Sequence, residues 1–137
     1  ETAKVMLKIA AREKEGWLRT EDIENFPCED LLTIDRLWVK SSNGKFGFSV
    51  QKQIYQDLGG TREFNLDLWE KFCDTVGWRR EKLKQPNILK IPVGKSYWER
   101  DWISYYELNF DLYDSPKGHL PVNYGLTICG LLRARVD

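Results

Sequence analysis

The stretch DIENFPCEDLLTIDRLWVKSSNG, residues 22–44, decides the fold. Pro27 is well placed as the first residue of a helix, because its fixed φ suits that position and the N–H that it lacks would have no partner there. Apolar residues then recur at helical spacing: Leu31, Ile34, Leu37 and Trp38. The polar run Ser41-Ser42-Asn43-Gly44 ends the pattern. The stretch therefore predicts an amphipathic helix that presents one apolar face to a core.

Helical patterns also precede this stretch. Residues 3–15 place four apolar side chains on one face, and Gly16 is expected to end that helix. That face consists of Val5, Met6, Ile9 and Ala10. Thr20 is expected to cap a short helical turn with acidic residues at its first positions, where carboxylates complement the helix dipole. The chain before residue 27 is therefore predicted to be helical.

Further helices are predicted after the stretch. A pattern with apolar residues four apart starts at Val50, and Asn65 is expected to cap the next helix. Ser104 and Glu107 form a capping box for a short helix, and a last short helix is expected over residues 126–136. Together these patterns predict an all-α fold. Residues 1–137 would form a single compact multi-helix domain with long ordered loops.

Irregular segments separate the helices. Lys45-Phe46-Gly47-Phe48-Ser49 is too short and too rich in glycine for a helix and is expected to be an ordered loop. Residues 79–101 contain seven positive and three negative side chains. Pro86 and Pro92 forbid a continuous helix there. We therefore expect residues 80–100 to be a basic loop or insertion, exposed and outside the central core, and either a docking surface or a solvated loop.

Composition excludes several classes of protein. The 137 residues fit one domain, and 21 Lys and Arg balance 21 Asp and Glu. A net charge of zero argues against a general nucleic-acid binder, which needs a basic surface. The chain has one histidine, so it offers few residues for hydrolysis by a nucleophile and a general base. Its three cysteines form no CxxC pair, so neither a zinc site nor a disulfide framework is predicted.

Two polar features are predicted to be structural. The acidic stretch from Glu21 to Asp35 has neither the spacing of an EF-hand loop nor that of paired catalytic carboxylates, so solvated helix starts are the better interpretation. His119 lies between Gly118 and Leu120 and is expected to hold a turn through hydrogen bonds rather than to bind a metal.

The aromatic residues carry the functional signal. The chain has six each of Trp, Tyr and Phe. Phe46 and Phe48 flank Gly47 in a loop, and we expect at least one of the two rings to line an open apolar surface. A second dense set consists of Trp98, Trp102, Tyr105, Tyr106, Phe110 and Tyr113. A small helical domain has few interior places for so many rings, so the sequence predicts a cupped apolar surface for a flat aromatic ligand. Ordinary core packing is the alternative for any one ring.

Five motifs in this order resemble the genomes-uncoupled-four family. They are Asp22-Ile23-Glu24-Asn25-Phe26-Pro27-Cys28-Glu29-Asp30-Leu31, Thr33-Ile34-Asp35-Arg36-Leu37-Trp38, Phe46-Gly47-Phe48-Ser49-Val50-Gln51, Val76-Gly77-Trp78-Arg79 and Gly118-His119-Leu120-Pro121. The resemblance covers roughly residues 1–79 and 101–121. The family's domain usually begins a helix earlier, so the resemblance implies a domain that lacks this first helix. Residues 80–100 look longer than the family's usual connection.

The resemblance implies an all-helical domain shaped like a cupped hand that binds protoporphyrin and Mg-protoporphyrin. Members of the family are not enzymes and hold no intrinsic cofactor. They stimulate magnesium chelatase in chlorophyll biosynthesis, act with its large porphyrin-binding subunit and are implicated in plastid signalling. The implied location is the plastid, in the stroma and at the thylakoid or envelope membrane as a peripheral protein, or the cyanobacterial cytoplasm.

Specific positions follow from the resemblance and from the needs of a porphyrin. Apolar walls are expected from Phe46, Phe48, Val50, Ile54 and Trp102. Cations at the rim, for the propionates, are expected from Arg36, Lys45, Lys52 and Arg62. Asn123 could supply an axial oxygen to the metal of a Mg-porphyrin. The alternative from a different class is a protein-interaction module without a tetrapyrrole ligand, whose aromatic residues form an ordinary core.

Overall fold

The computed structural model describes residues 1–61, 63–84 and 97–122. These residues form five α-helices, one short 3-10 turn and two β-strands. The helices are α1 (Thr2–Ile9), α2 (Thr20–Glu24), α3 (Cys28–Ser41), α4 (Phe48–Asp57) and α5 (Leu66–Thr75); the strands are β1 (Arg79–Lys84) and β2 (Tyr97–Trp102); the 3-10 turn is Tyr105–Glu107. The predicted all-α, multi-helix fold is confirmed apart from the small two-stranded sheet.

Two apolar clusters form the core, and α4 joins them. The first cluster lies between α1, α2 and α3 and consists of Met6, Ile23, Phe26, Leu31, Ile34 and Phe48. The second lies against α5 and consists of Tyr55, Phe72, Cys73, Val76 and Trp78. Phe48 and Tyr55 are seven residues apart on α4, about two helical turns. One helix therefore contributes to both clusters and fixes their relative position.

The central helix α3 agrees with its prediction. It starts at Cys28 with Pro27 as its N-cap and ends at Ser41. Leu31 and Ile34 are buried, as the apolar pattern predicts. Asn65 caps α5 as predicted, because its side-chain oxygen accepts the Leu68 N–H at 2.9 Å. Local sequence signals therefore place these helix ends to within a residue.

Helix α1 is shorter than predicted. It ends at Ile9, and Ala11 adopts a φ of +53°, so the expectation of a helix through residue 15 is wrong. The Arg12 guanidinium turns back over the Trp17 ring at 5.1 Å and forms an ion pair with Asp22 at 3.3 Å. These contacts favour a change of chain direction over continuation of the helix. The N-cap of α2 is Arg19 rather than Thr20.

The segment predicted to be a basic loop contains strands at both ends. β1 and β2 pair antiparallel, with Arg79 opposite Trp102 and Lys84 opposite Tyr97. Arg79 and Arg100 bind carboxylates of α5, at 2.8 Å to Glu70 and 2.6 Å to Asp74. The expectation of a loop over all of residues 80–100 is therefore wrong for 80–84 and 97–100. Residues 85–96, which include both prolines, and the helix expected over 126–136 lie outside the described residues.

A helix that crosses a membrane needs about 20 apolar residues in a row. None of the helices in residues 1–61, 63–84 and 97–122 is long and apolar enough to cross a membrane.

Candidate functional site

Residues 102–113, here called the aromatic segment, expose large apolar side chains. These are Trp102, Tyr105, Tyr106, Phe110, Leu112 and Tyr113. Tyr106 is 94% exposed and Tyr113 is 93% exposed. Single exposed apolar residues are common, but six within twelve residues are typical of a surface that binds something.

Polar contacts hold the backbone of the aromatic segment. A capping box fixes its 3-10 turn, where the Glu107 carboxylate accepts the Ser104 N–H at 2.6 Å. Farther on, residues 109–115 form a compact turn, here called the turn 109–115. The Asp111 carboxylate accepts the N–H groups of Tyr113 at 2.6 Å and Asp114 at 3.2 Å. The exposed rings are therefore carried by an ordered backbone.

The hydrogen bonds to Asp111 change its acidity. Donation from the Tyr113 and Asp114 N–H groups lowers the pKa of Asp111 below its usual value, and the nearby positive charge of Lys45 adds to the effect. An ionised carboxylate accepts such bonds more strongly than a neutral acid. The charged form of Asp111 therefore stabilises the turn 109–115.

Two attachments join this turn to the rest of the domain. The Lys45 ammonium donates hydrogen bonds to the carbonyls of Leu112 and Tyr113. The His119 ring accepts the Asn109 N–H on Nε2 at 3.3 Å, and its Nδ1 lies 2.8 Å from the Val76 carbonyl. His119 is thus a buried structural residue, and its predicted role of holding a turn is confirmed.

The corner 118–121, Gly118-His119-Leu120-Pro121, connects the aromatic segment to the core. The Gln51 amide donates to the carbonyls of Gly118 and Pro121, both at 2.9 Å, and the Trp78 indole donates to the His119 carbonyl at 2.8 Å. Backbone bonds also join the corner to residues 42–47, here called the loop 42–47, from Gly47 to Leu120 at 3.0 Å and from Gly118 to Lys45 at 2.9 Å. Three of the five motifs singled out in the sequence, those that contain Gly47, Trp78 and His119, therefore meet here.

Phe46 and Phe48 are buried, each with 2% of its surface exposed. The Phe46 ring packs edge-to-face on Trp38, with centroids 6.4 Å apart, and Phe48 lies in the first core cluster. The expectation that at least one of them lines an open apolar surface is wrong. The physical reason is that hydrogen bonds join the loop 42–47 to α3, from Gly44 to Val39, and to the corner 118–121, from Gly47 to Leu120, which holds both rings against the core.

The other expected wall residues lie on two different elements. Val50 and Ile54 are half-buried on α4, four residues apart, and Ile54 packs against the second core cluster. Trp102 is at the end of β2 and is partly exposed. Val50, Ile54 and Trp102 therefore retain some accessible surface, but no single element carries them.

The expected rim cations occupy different surroundings. Arg36 is exposed on α3, whereas Lys52 is buried on α4. Lys45 is half-buried and bonds the carbonyls of the turn 109–115. Arg62 and Asn123 lie outside the described residues. No group of three or more His, Cys, Asp or Glu residues within residues 1–61, 63–84 and 97–122 is arranged to hold a metal ion.

The acidic stretch has a structural role at Asp22. Its carboxylate binds Arg19 at 2.9 Å and accepts the Arg19 N–H at 2.9 Å. These contacts, above all the hydrogen bond from the Arg19 side chain, lower the pKa of Asp22 from 3.8 to about 2. Asp22 is an anchor for the start of α2, as the interpretation of this stretch as helix starts implies.

A second apolar feature lies between α1 and α3. It is an open groove of about 340 Å³, lined by Val5, Ile34, Leu37 and Trp38 with Glu1, Thr2 and Ser41. The Trp38 indole donates to the Thr2 hydroxyl at 3.1 Å across it. Neither end of the groove includes residues of the aromatic segment.

The sequence analysis includes Tyr106, Phe110 and Tyr113 in the dense aromatic set but names only Trp102 of that set as a wall residue. The structure shows that these three are among its most exposed rings. A signal was present in the polar residues between them, because Asn109, Asp111 and Ser115 are typical turn residues. Rings that alternate with turn-forming residues have no regular apolar face to bury.

Comparisons with known proteins identify relatives. A family model described as GUN4-like matches residues 1–133. The tetrapyrrole-binding protein of Arabidopsis thaliana chloroplasts is 33% identical over 137 aligned positions, and the alignment covers 97% of this chain and 45% of that protein. A protein of Porphyra purpurea named ycf53, without an assigned function, is 37% identical over 123 residues, 88% of this chain and 41% of that protein. The chain therefore spans less than half the length of these two relatives.

Solved structures of GUN4 from two organisms have a similar fold. The structure of GUN4 from Chlamydomonas reinhardtii has a TM-score of 0.64 at 28% identity and covers 96% of this chain and 72% of that one. The ligand-free structure of Arabidopsis thaliana GUN4 has a TM-score of 0.65 at 23% identity, with 96% of this chain and 79% of that one covered. Because its sequence identity is only 23%, the similarity to the Arabidopsis structure shows the fold alone.

Proposed function

The chain belongs to the GUN4-like family, and on that premise we propose that it is a non-catalytic regulator that binds protoporphyrin and Mg-protoporphyrin. The observation that carries the proposal is the aromatic segment 102–113, whose rings are exposed on a backbone held by hydrogen bonds. The name of the Arabidopsis relative, a tetrapyrrole-binding protein, supports the same class of ligand.

The chemistry of the segment suits a flat, apolar macrocycle. Tyr106, Phe110 and Tyr113 present faces on which a conjugated ring stacks, and each such contact contributes about 0.5–1.5 kcal/mol beyond the area it buries. An ordered backbone lowers the entropic cost of binding, because the segment need not be ordered first. The proposed surface therefore consists of the aromatic segment, with Val50, Ile54 and Trp102 as further walls.

Cations are needed for the two propionates of the ligand. Arg36, Lys52 and Arg62 remain the proposed partners, with Lys45 considered separately below. Arg36 is the exposed one among the first two. Asn123 remains the proposed axial ligand when the porphyrin contains Mg, since its amide oxygen is a hard donor.

The proposed biological role is stimulation of magnesium chelatase through its large porphyrin-binding subunit, in chlorophyll biosynthesis and plastid signalling. The chain would deliver the porphyrin substrate or withdraw the product. The proposed location is the plastid, with peripheral membrane association, or the cyanobacterial cytoplasm, in line with relatives from chloroplasts and from Synechocystis.

The test is a titration of the chain with protoporphyrin. Binding is expected to shift the Soret band and to quench tryptophan fluorescence, with saturation at one porphyrin per chain. A Tyr106→Ala/Tyr113→Ala variant is expected to bind more weakly. The matched control is Trp17→Ala, which removes an exposed ring outside the aromatic segment.

Two results would contradict the proposal. If wild type shows neither optical change, the chain is not a porphyrin binder, and a protein-interaction module becomes the better hypothesis. If Trp17→Ala weakens binding and the double variant does not, the porphyrin binds elsewhere.

A further inference from the structure

We propose that Lys45 is a positioning residue for the aromatic segment rather than a rim cation that binds a ligand carboxylate. The observation is the direction of its ammonium group, which donates to the carbonyls of Leu112 and Tyr113. These two carbonyls belong to residues whose side chains are exposed on the proposed binding surface. The inference rests on the proposed function for the identity of the ligand. The geometry of Lys45 comes from the structure alone.

The position of Lys45 in the chain makes it suited to this role. It lies in the loop 42–47, next to Phe46, which is buried against Trp38. Its own carbonyl accepts the Gly118 N–H at 2.9 Å, so its backbone is fixed to the corner 118–121. A side chain that starts from such an anchored backbone holds its partner in a defined place.

The turn 109–115 depends on contacts of this kind because its own hydrogen bonds are internal. Asp111 accepts N–H groups from within the turn, and the Ser115 hydroxyl donates to the Asn109 carbonyl at 2.9 Å. Such bonds fix the shape of the turn and not its position on the domain. Position comes from Lys45 on one side and from the His119 contact with Asn109 on the other.

The charge of Lys45 contributes a second effect. Its partners are neutral carbonyls, while the Asp111 carboxylate lies near enough for the ammonium to favour its ionised form. The ionised carboxylate is the stronger acceptor for the Tyr113 and Asp114 N–H groups. Lys45 therefore holds the turn in place through the carbonyls and supports its shape through Asp111.

A side-chain substitution separates this role from the backbone anchor. Lys45→Met keeps an unbranched side chain out to the ε position and the bond from Gly118 to the residue 45 carbonyl but removes the ammonium. Lys71→Met is the matched control, since Lys71 is exposed on α5 and loses the same charge. Lys45→Arg retains donors that reach the carbonyls and is expected to behave as wild type.

The first measurement needs no ligand. Amide hydrogen exchange at Tyr113, Asp114 and Ser115 is expected to be about tenfold faster in Lys45→Met, because the turn opens more often when one anchor is lost. Exchange of α5 core amides such as those of Phe72 and Cys73 is expected to be unchanged, which shows that the variant folds. Unchanged exchange in the turn would overturn the proposal.

The second measurement compares two porphyrins. Protoporphyrin carries two free carboxylates, and its dimethyl ester carries none. A positioning residue acts on the rings, so Lys45→Met is expected to weaken the binding of both porphyrins by a similar factor, about three- to tenfold. If only the diacid loses affinity, Lys45 is a rim cation and the proposal is wrong. If wild type binds neither porphyrin, the proposed function fails while the exchange measurement still decides the role of Lys45.

Discussion

Two irregular segments of this chain are rich in aromatic residues, and the fold uses them in opposite ways. The loop 42–47 and the first residue of α4 bury Phe46 and Phe48. The aromatic segment 102–113 exposes Tyr106, Phe110 and Tyr113. The difference lies in what fixes each backbone. Hydrogen bonds hold both segments. Those of the loop 42–47 join it to α3 and to the corner 118–121, whereas many of those of the aromatic segment form between its own near neighbours and leave its rings accessible.

This contrast shows when a ring in a loop is available for a ligand. The loop 42–47 is hydrogen-bonded to α3 and to the corner 118–121, so its ring lies between buried parts of the domain. A longer segment that supplies its own acceptors, as Glu107 and Asp111 do here, is ordered without that burial. The accessible rings are therefore found on the segment that forms many of its hydrogen bonds between near neighbours.

The largest expected effect is a loss of stability when one of the buried rings is removed. Phe48→Ala removes a ring from the first core cluster and is expected to lower the free energy of unfolding by about 3–5 kcal/mol, from lost burial and the cavity left behind. Tyr106→Ala is expected to change it by less than about 0.5 kcal/mol, because that ring is exposed. Chemical denaturation measures both values. Equal losses in the two variants would contradict the contrast.

The next effect concerns the corner 118–121 beneath the aromatic segment. Gly118 has a φ of +77°, and a Cβ there would lie 2.7 Å from Ile54 Cδ1. Gly118→Ala is expected to lower the free energy of unfolding by about 2–4 kcal/mol, from backbone strain and overpacking. Gly16 has a φ of +76° with nothing within 4 Å of its Cβ position, so Gly16→Ala is expected to cost only about 1–2 kcal/mol. A thermal melt of each variant compares them, and an equal shift would show that packing at the corner is not tight.

A smaller effect is expected on the exposed side, and it concerns binding rather than stability. The Tyr106→Ala/Tyr113→Ala variant is expected to retain the wild-type melting temperature but to bind protoporphyrin about tenfold more weakly, or about 1.4 kcal/mol, because two stacking faces are lost. Fluorescence titration and calorimetric melting are the measurements. A large drop in melting temperature would mean that these rings are part of the core.

The smallest expected effect concerns a polar contact in the helical region, the ion pair between Asp22 and Arg19. The folded-state pKa of Asp22 is lowered to about 2, so its ionised form stabilises the fold fully above its ordinary value of 3.8. That contribution is lost as the pH falls from about 4 towards 2. Asp22→Asn is therefore expected to melt below wild type at pH 6, with a difference that shrinks in this range.

The control for this measurement is Glu13→Gln, an exposed carboxylate for which the described part of the chain shows no ion pair. It is expected to melt at the same temperature as wild type throughout. A gap between Asp22→Asn and wild type that stays constant down to pH 2 would mean that the ion pair with Arg19 does not act through the charge of Asp22.

The helices were predictable from the sequence to a large extent. Pro27, Asn65 and the pair Ser104 and Glu107 are capping signals that act within one turn of the chain, so their effect does not depend on distant residues. The end of α1 was not predictable, because Arg12 turns back towards Trp17 and Asp22 through contacts that its helical pattern does not reveal. The pairing of β1 with β2 likewise joins residues up to 23 positions apart.

The sequence by itself determined that this chain is mainly helical, that it has more aromatic residues than its core requires, and which family its motifs resemble. Those properties follow from composition and from local spacing. Only the tertiary structure decided which rings are exposed, because burial depends on where the packed helices place each backbone. Phe46 and Phe48 became core residues, and Lys45 was directed to carbonyls 67 and 68 positions away. A side chain's partner at that distance is set by how the helices pack, which no local pattern specifies.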